Sequence, residues 1–367
     1  MKITLLLGFL FVELIYKVSA TNIVCYFLST NGYVSVLPEK INPNLCSHIN
    51  YAFVNVSKDG SLAYGNEEID VNQNLYKRVA ALKSKNPYLK VLFSIGGGDS
   101  TAMFTQVASD KSKRSNLANS AKKFLETYNF DGIDVDWEFP DPNQRDDFLN
   151  LISDLRRGLG SKWILTAALP SQPTNAYNCP EIFKLLDFAN VMSYDFFGPW
   201  SKSTGQNSAL FPSSKDSEYG KKYTNLANTA LNWINAGANP NKMNMGVAFY
   251  GWQFTLTNPT AHGLHAPIIA TKTTSATFTK ICKEYTHWTK VWDDEQKNPY
   301  RYSGDQWIGY DDEKSIALKT QHILLKKYAG IMIWHLGADD INGECGGRTQ
   351  TLLKDINDEI KKDNGKK

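Results

Sequence analysis

The sequence predicts an α/β protein, a (β/α)8 TIM barrel with a small α+β insertion between strand 7 and strand 8. Three observations predict it. Eight short apolar runs of strand character alternate with runs whose apolar residues recur at helical spacing, the pattern of a parallel sheet with crossover helices. One interval, 251–312, breaks that rhythm: it is too long for a connecting loop and holds no single clear helix. The fourth apolar run also carries an acid at every second position, which gathers those acids on one face of a strand.

Taken in order, residues 22–27 (Ile23, Val24, Tyr26, Phe27) read as the first strand and 48–56 as the second. Leu75, Val79 and Leu82 share one face of a helix over 75–83, stopped by Asn86-Pro87. Residues 90–95 form the third strand, ending in Gly96-Gly97-Gly98, and 112–128 a helix with Leu117, Ala121, Phe124 and Leu125 on one side. After the acidic strand, Asp141-Pro142 opens a helix over 144–159. Residues 163–169 are the fifth strand, 180–186 a short helix, 188–194 the sixth strand, and 224–236 a helix ended by Gly237. The seventh strand spans 243–250. A helix over 313–328 then leads to the eighth strand at 330–336, and a last helix over 351–361 carries Leu352, Leu353, Ile356 and Ile360 on one face. Inside the insertion, 254–257, 277–279 and 306–310 read as short strands. The barrel thus takes 21–250 and 313–361, the lobe 251–312, and a polar tail 362–367. A lobe on the seventh connection sits at the C-terminal mouth, where active sites of this fold lie.

Composition narrows the class. With 367 residues, 42% hydrophobic and 21% charged, the chain can bury a full core. Nine Trp and eighteen Tyr can fill that core and also suit stacking on sugar rings. A net charge of +3 without a strongly basic run gives no footprint for nucleic acid. Lys2, the apolar run 3–12 and the small residues Val18-Ser19-Ala20 before Thr21 read as a secretory signal peptide over 1–20. No later segment offers the roughly 18 unbroken apolar residues of a membrane span. The expected mature protein begins near Thr21 and is secreted, extracellular and monomeric, with no membrane partner. Five cysteines in an oxidising compartment point to disulfides. Connectivity does not follow from sequence. The expected pairs are Cys25 with Cys46 and Cys282 with Cys345, leaving Cys179 a buried free thiol. One glycosylation sequon, Asn55-Val56-Ser57, lies at the end of the second predicted strand.

The acidic strand is the chemical centre. Asp134, Asp136 and Glu138 share one face, and Ile133, Val135 and Trp137 the other. A sheet edge in water is the ordinary explanation of such alternation. Like charges at that spacing repel, however, and burying them is worse unless protons are shared. A site that must keep one acid protonated near neutral pH gains from the arrangement. Asp131 has the opposite parity and reads as structural.

Asp131-x-x-Asp134-x-Asp136-x-Glu138 resembles the signature of the glycoside hydrolase family 18 chitinases, animal type, and of their lectin relatives. Ser94-Ile95-Gly96-Gly97, Met192-Ser193-Tyr194-Asp195 and Met332-Ile333-Trp334 resemble further family motifs, as do Cys25-Tyr26-Phe27 and Tyr51-Ala52-Phe53. The resemblance covers essentially the whole mature chain, in order. It implies a secreted endo-chitinase acting on chitin or chitooligosaccharides, with the substrate's own 2-acetamido carbonyl as nucleophile. No metal and no cofactor is implied, and no His-Glu-x-x-His segment occurs.

By the same resemblance Glu138 is general acid and then general base, helped to hold its proton by the Asp136 charge. Asp136 orients the acetamido N–H and stabilises the cationic intermediate, and Asp134, deeper, shares a proton with Asp136. The Tyr194 hydroxyl holds the acetamido carbonyl for attack. Asp195 hydrogen-bonds the same sugar, and Trp334 is the floor beneath it. Tyr26, Phe53, Met192 and Tyr250 line the pocket, and Gly97 and Trp137 complete the substrate-binding set.

Two positions depart from the family pattern. Gly98 stands where many relatives have Trp, which removes a stacking platform, and Trp252 stands where many have Arg. Nothing after Lys354 resembles the Cys-rich module many relatives append, so a catalytic domain alone is expected. The rival readings are a chitinase-like lectin that binds without turnover and an endo-β-N-acetylglucosaminidase. The presence of Glu138 weighs against the first, and the Tyr194-Asp195 pair against the second.

Overall fold

A computed structural model describes residues 21–30 and 33–365. The expected signal segment 1–20 lies outside the described residues. Eight parallel strands close into a barrel: Asn22–Thr30, His48–Val56, Lys90–Gly97, Gly132–Trp137, Ile164–Leu169, Phe188–Val191, Met243–Ala248 and Gly330–Trp334. Closure is made by the first strand, which pairs with the second and, from Asn22 opposite Gly330 to Cys25 opposite Ile333, with the eighth. The (β/α)8 class read from the sequence is the one observed.

Alternation along the strands divides the apolar residues between two cores. Inside the barrel, Val24, Tyr26, Ala52, Tyr194, Ala248 and Met332 pack together, with Phe53, Met192 and Trp334 against them. Outside it, Ile133, Val135 and Trp137 pack with Leu117, Phe124, Leu125 and Leu151 of the surrounding helices. The helix Lys111–Tyr128 shows how local chemistry sets these elements up. Asp110 caps it by accepting from the Ser112 and Lys113 amides, and Asn129 ends it in the left-handed conformation at φ 56°. The chain then enters the fourth strand at once, where Asp131 accepts from the Val91 amide and from Lys83 Nζ at the foot of the barrel.

Between the seventh and eighth strands rises a five-stranded antiparallel sheet, in spatial order Thr274–Thr277, Tyr250–Thr255, Gln306–Gly309, Asn298–Ser303 and Thr289–Asp293. Its sequence reading needs correction. Residues 277–279 are not a strand: Thr277 ends one and caps the helix Phe278–Glu284, its side chain accepting from the Lys280 amide. A run of Thr favours a strand on propensity, but a Thr hydroxyl also caps a helix. The hairpin of Thr289–Asp293 and Asn298–Ser303 was not expected, nor was the helix Thr101–Ala108.

Two boundaries also move. The sixth strand stops at Val191, because the Ser193 amide turns back onto Val191 O and Asp195 takes φ 58°. The last helix runs Thr351–Asn364, so residues 362–364 of the expected polar tail are helical, with Lys362 paired to Glu359 at 2.5 Å; residues 366–367 lie outside the described residues. Cys25 is bonded to Cys46 and Cys282 to Cys345, and Cys179 is free and buried. No described helix is long and apolar enough to cross a membrane.

Candidate active site

The acidic face of the fourth strand points into the barrel, and its carboxyls occupy three different environments. Asp134 is buried at the bottom and saturated with donors. Its oxygens accept from Tyr26 Oη at 2.7 Å, Ser94 Oγ at 2.8 Å, Thr166 Oγ1 at 2.6 Å and Asn190 Nδ2 at 3.3 Å. Below it a chain of amides runs in one direction. Asn22 donates to Asn244 at 3.3 Å, Asn244 to Asn190 at 3.1 Å, and Asn190 to Asp134. Burial raises the Asp134 pKa, and the four donors pull it back.

Asp136, one step higher, is buried without such help, and its Oδ1 has no hydrogen-bond partner. Burial, then the charges of Glu138 and Asp134, hold its pKa well above the usual carboxylate range. The expectation that Asp134 and Asp136 share a proton does not fit this geometry. Asp134 spends its acceptor capacity on four other groups, so repulsion is relieved higher up, where Glu138 is the first charge raising the Asp136 pKa and one proton serves that coupled pair. Glu138, at the rim, is pushed up to about 7 by burial first, then by the charges of Asp195 and Asp99. The neighbouring charge expected to act on it was that of Asp136. Asp195 and Asp99 converge on it through folding, from other loops.

The remaining walls come from the first, second, fifth and eighth barrel strands, from the segment just past the sixth, and from the first strand of the lobe. Tyr194 Oη donates to the sulfur of Met332 at 3.7 Å, a weak acceptor, and Tyr194 lines the cavity. Asp195 Oδ1 accepts from Tyr250 Oη at 2.5 Å and from Trp252 Nε1 at 2.8 Å. Trp252, marked as a departure in the sequence, thus supplies Asp195 with a neutral donor. Trp334 packs edge-on against Tyr26, with ring centroids 5.3 Å apart, and lies 6.0 Å from Phe53.

Together Tyr26, Asp136, Glu138, Ala168, Met192, Tyr194, Asp195 and Trp334 enclose a central chamber of about 110 Å³. It opens past Glu138 into a hollow of about 380 Å³ flanked by Phe139 and Trp200. Beyond Phe53 lies a third hollow of about 500 Å³, lined by Gly97, Gly98, Asp99, Ser100, Met103 and Asn55 among others.

Of the sequence-predicted residues, Glu138, Asp136, Tyr194, Asp195, Tyr26, Met192 and Trp334 meet in the central chamber; Asp134 and Tyr250 stand behind it, and Phe53 and Gly97 border the third hollow. Gly97 has φ 92°, and a Cβ there would come within 2.8 Å of the Phe53 ring. Trp137 is a correction. It is fully buried on the opposite face, stacked on Phe104 at 5.2 Å in the layer between strand and helices, and cannot reach the cavity. Its odd number assigns it outward, as the strand's period of two requires.

Sequence reasoning missed Thr166 and Asn190, whose signal is a single polar residue in an otherwise apolar strand. It also missed Asp99 and the exposed Trp200, which no local pattern marks.

A parallel barrel with a graded acidic strand opening into a cleft defines the class, and the comparisons agree. Residues 22–339 match the glycosyl hydrolases family 18, and the chain belongs to that family. It is 32% identical to an endochitinase of Manduca sexta over 91% of its own length and 66% of that protein. The chain therefore spans just under two thirds of this relative. Among solved structures, a Group IV chitinase of Ostrinia furnacalis in complex with allosamidin superposes with TM-score 0.87 at 29% identity, covering 93% of this chain and 99% of that one. Human YKL-39, described as a pseudo-chitinase with retained chitooligosaccharide binding, superposes with TM-score 0.85 at 30% identity, covering 93% and 100%.

Proposed function

We propose that this protein is a secreted endo-chitinase that hydrolyses β-1,4 links between N-acetylglucosamine units with retention of configuration. The observation that carries the reading is Glu138. Its carboxyl has a pKa near 7, lies on the wall shared by two chambers of the cleft, and stands above a buried Asp136 oxygen that no protein donor satisfies. Family relatives named chitinases support the substrate class. Hollows beyond the central chamber suit attack within a chain. The signal-like segment 1–20, with its apolar run 3–12, and two disulfides support secretion.

In the proposed reaction the acetamido carbonyl oxygen attacks the anomeric carbon. The glycosidic C–O bond breaks, and Glu138 gives its proton to the leaving oxygen. Tyr194 Oη, nearly without a protein partner, donates to the attacking carbonyl and fixes its approach. Asp136 accepts the acetamido N–H. Asp136 and Glu138 titrate as a coupled pair, so with the proton on Glu138 in the bound state Asp136 carries the charge, and the positive charge developing beside it keeps it ionised after Glu138 has given its proton away. That charge stabilises the cationic oxazolinium-type intermediate. Water, activated by Glu138 as base, then opens the intermediate and returns the proton.

A second reading, a lectin that binds without turnover, is favoured by the likeness to YKL-39. The test is hydrolysis of chitotetraose and chitohexaose across acidic to mildly basic pH. Glu138→Gln is expected to lower turnover by roughly 10²–10⁴-fold while leaving binding largely intact. A wild-type protein that binds both oligosaccharides but releases no shorter product leaves only the lectin reading.

A further inference from the structure

Asn55-Val56-Ser57 is the sole N-x-S/T sequon of the sequence with x other than Pro. Asn55 follows Phe53 at period two near the end of the second barrel strand, is exposed, and lines the hollow of about 500 Å³. Its Nδ2 donates to Tyr64 O at 3.3 Å. An asparagine amide carries two N–H groups, and glycosylation consumes one. The other can keep the Tyr64 bond and so direct where an attached sugar leaves. Space is available: a Cβ on Gly98, in the same hollow, would meet nothing within 4 Å.

We propose that Asn55 is an N-glycosylation site whose first sugars lie across this hollow, which adjoins the central chamber across the Phe53 ring, 6.0 Å from Trp334, and cap the cleft on that side. In the modification, Nδ2 bonds to the anomeric carbon of an oligosaccharide carried on a lipid diphosphate. The anomeric C–O bond breaks, the diphosphate leaves with its electron pair, and one amide proton is released. The tethered sugar is held at the hollow by its short link, so it competes with a free chain at high effective concentration. The capped cleft holds fewer units of a long oligosaccharide and the same number of a short one. The capping role rests on the secreted, chitooligosaccharide-binding reading proposed above.

The experiment uses the full chain secreted from eukaryotic cells. Mass spectrometry before and after peptide N-glycosidase treatment is expected to show glycan on the Asn55 peptide, absent from both Asn55→Gln and Ser57→Ala. Binding of chitohexaose and chitobiose is then measured on Glu138→Gln protein with the glycan present and removed. Removal is expected to tighten chitohexaose binding roughly threefold or more, the scale of one lost sugar contact, and to leave chitobiose unchanged. An unmodified Asn55 in secreted protein overturns the proposal, as does a modified Asn55 with no length-dependent change. A protein that binds neither oligosaccharide refutes the cleft's assignment and the capping role with it, while the mass alone still decides the modification.

Discussion

Glu138 owes its pKa of about 7 mainly to burial and then to two negative neighbours, Asp195 and Asp99. In the role of general acid proposed for it, such a carboxyl is protonated below about 7 and spent above it. Consequently kcat/KM for chitotetraose is expected to fall as pH rises through 7. Removing a negative neighbour makes the charged form easier to reach, so the pKa drops. Asp195→Asn should move the alkaline limb to lower pH, and Asp99→Asn should move it the same way by less, following the order of the two charges. Profiles of the three proteins check this, and a limb that stays fixed or moves upward counts against it. The parity of these acids was legible, because a period of two is a local property of residues 133–138. The perturbing charges were not. Asp99 and Asp195 lie on other loops, and only barrel closure brings their fields to one point.

At the level of elements, the inserted lobe reaches back into the cleft through its first strand, Tyr250–Thr255, which delivers both Tyr250 and Trp252 to Asp195. Trp252→Phe keeps an aromatic ring, though a smaller one, and removes the N–H. It is expected to cost about 1.5 kcal/mol, roughly tenfold in kcat/KM, with the melting temperature unchanged. Steady-state kinetics beside thermal denaturation test this, and unaltered kcat/KM would show that Tyr250 alone positions Asp195. The sequence marked the lobe by its length and broken rhythm, and it marked Trp252 as unusual. It could not say that the indole faces Asp195, since that contact spans 57 residues. Thr277 failed for a different reason: the same side chain serves a strand end and a helix cap, and propensity does not choose between them.

Across the whole molecule, lobe and barrel are joined by a fully buried ion pair, Lys319 Nζ to Asp311 at 2.5 Å, with Asn298 and Ser315 also donating to Asp311. Burial opposes both charges, raising the Asp311 pKa and lowering that of Lys319. Lys319→Met strands the carboxylate and is expected to cost about 3–5 kcal/mol, much of it recovered by Lys319→Met with Asp311→Leu. Denaturant unfolding of the two variants tests this, and equal losses would contradict it. Eight apolar runs made the barrel legible, but ties of this kind are invisible until the chain has closed. Asp134 is another such tie, binding Tyr26, Ser94, Thr166 and Asn190 from four different strands, whereas the Glu138 carboxyl is perturbed by burial and by neighbouring charge. Architecture and turnover are therefore separately mutable here. On the proposed function, a substitution at the rim is expected to silence the chemistry and spare the scaffold, while one at the floor is expected to disturb both. If the chain cuts as proposed, drift to mere holding is open at position 138 and barred at 134.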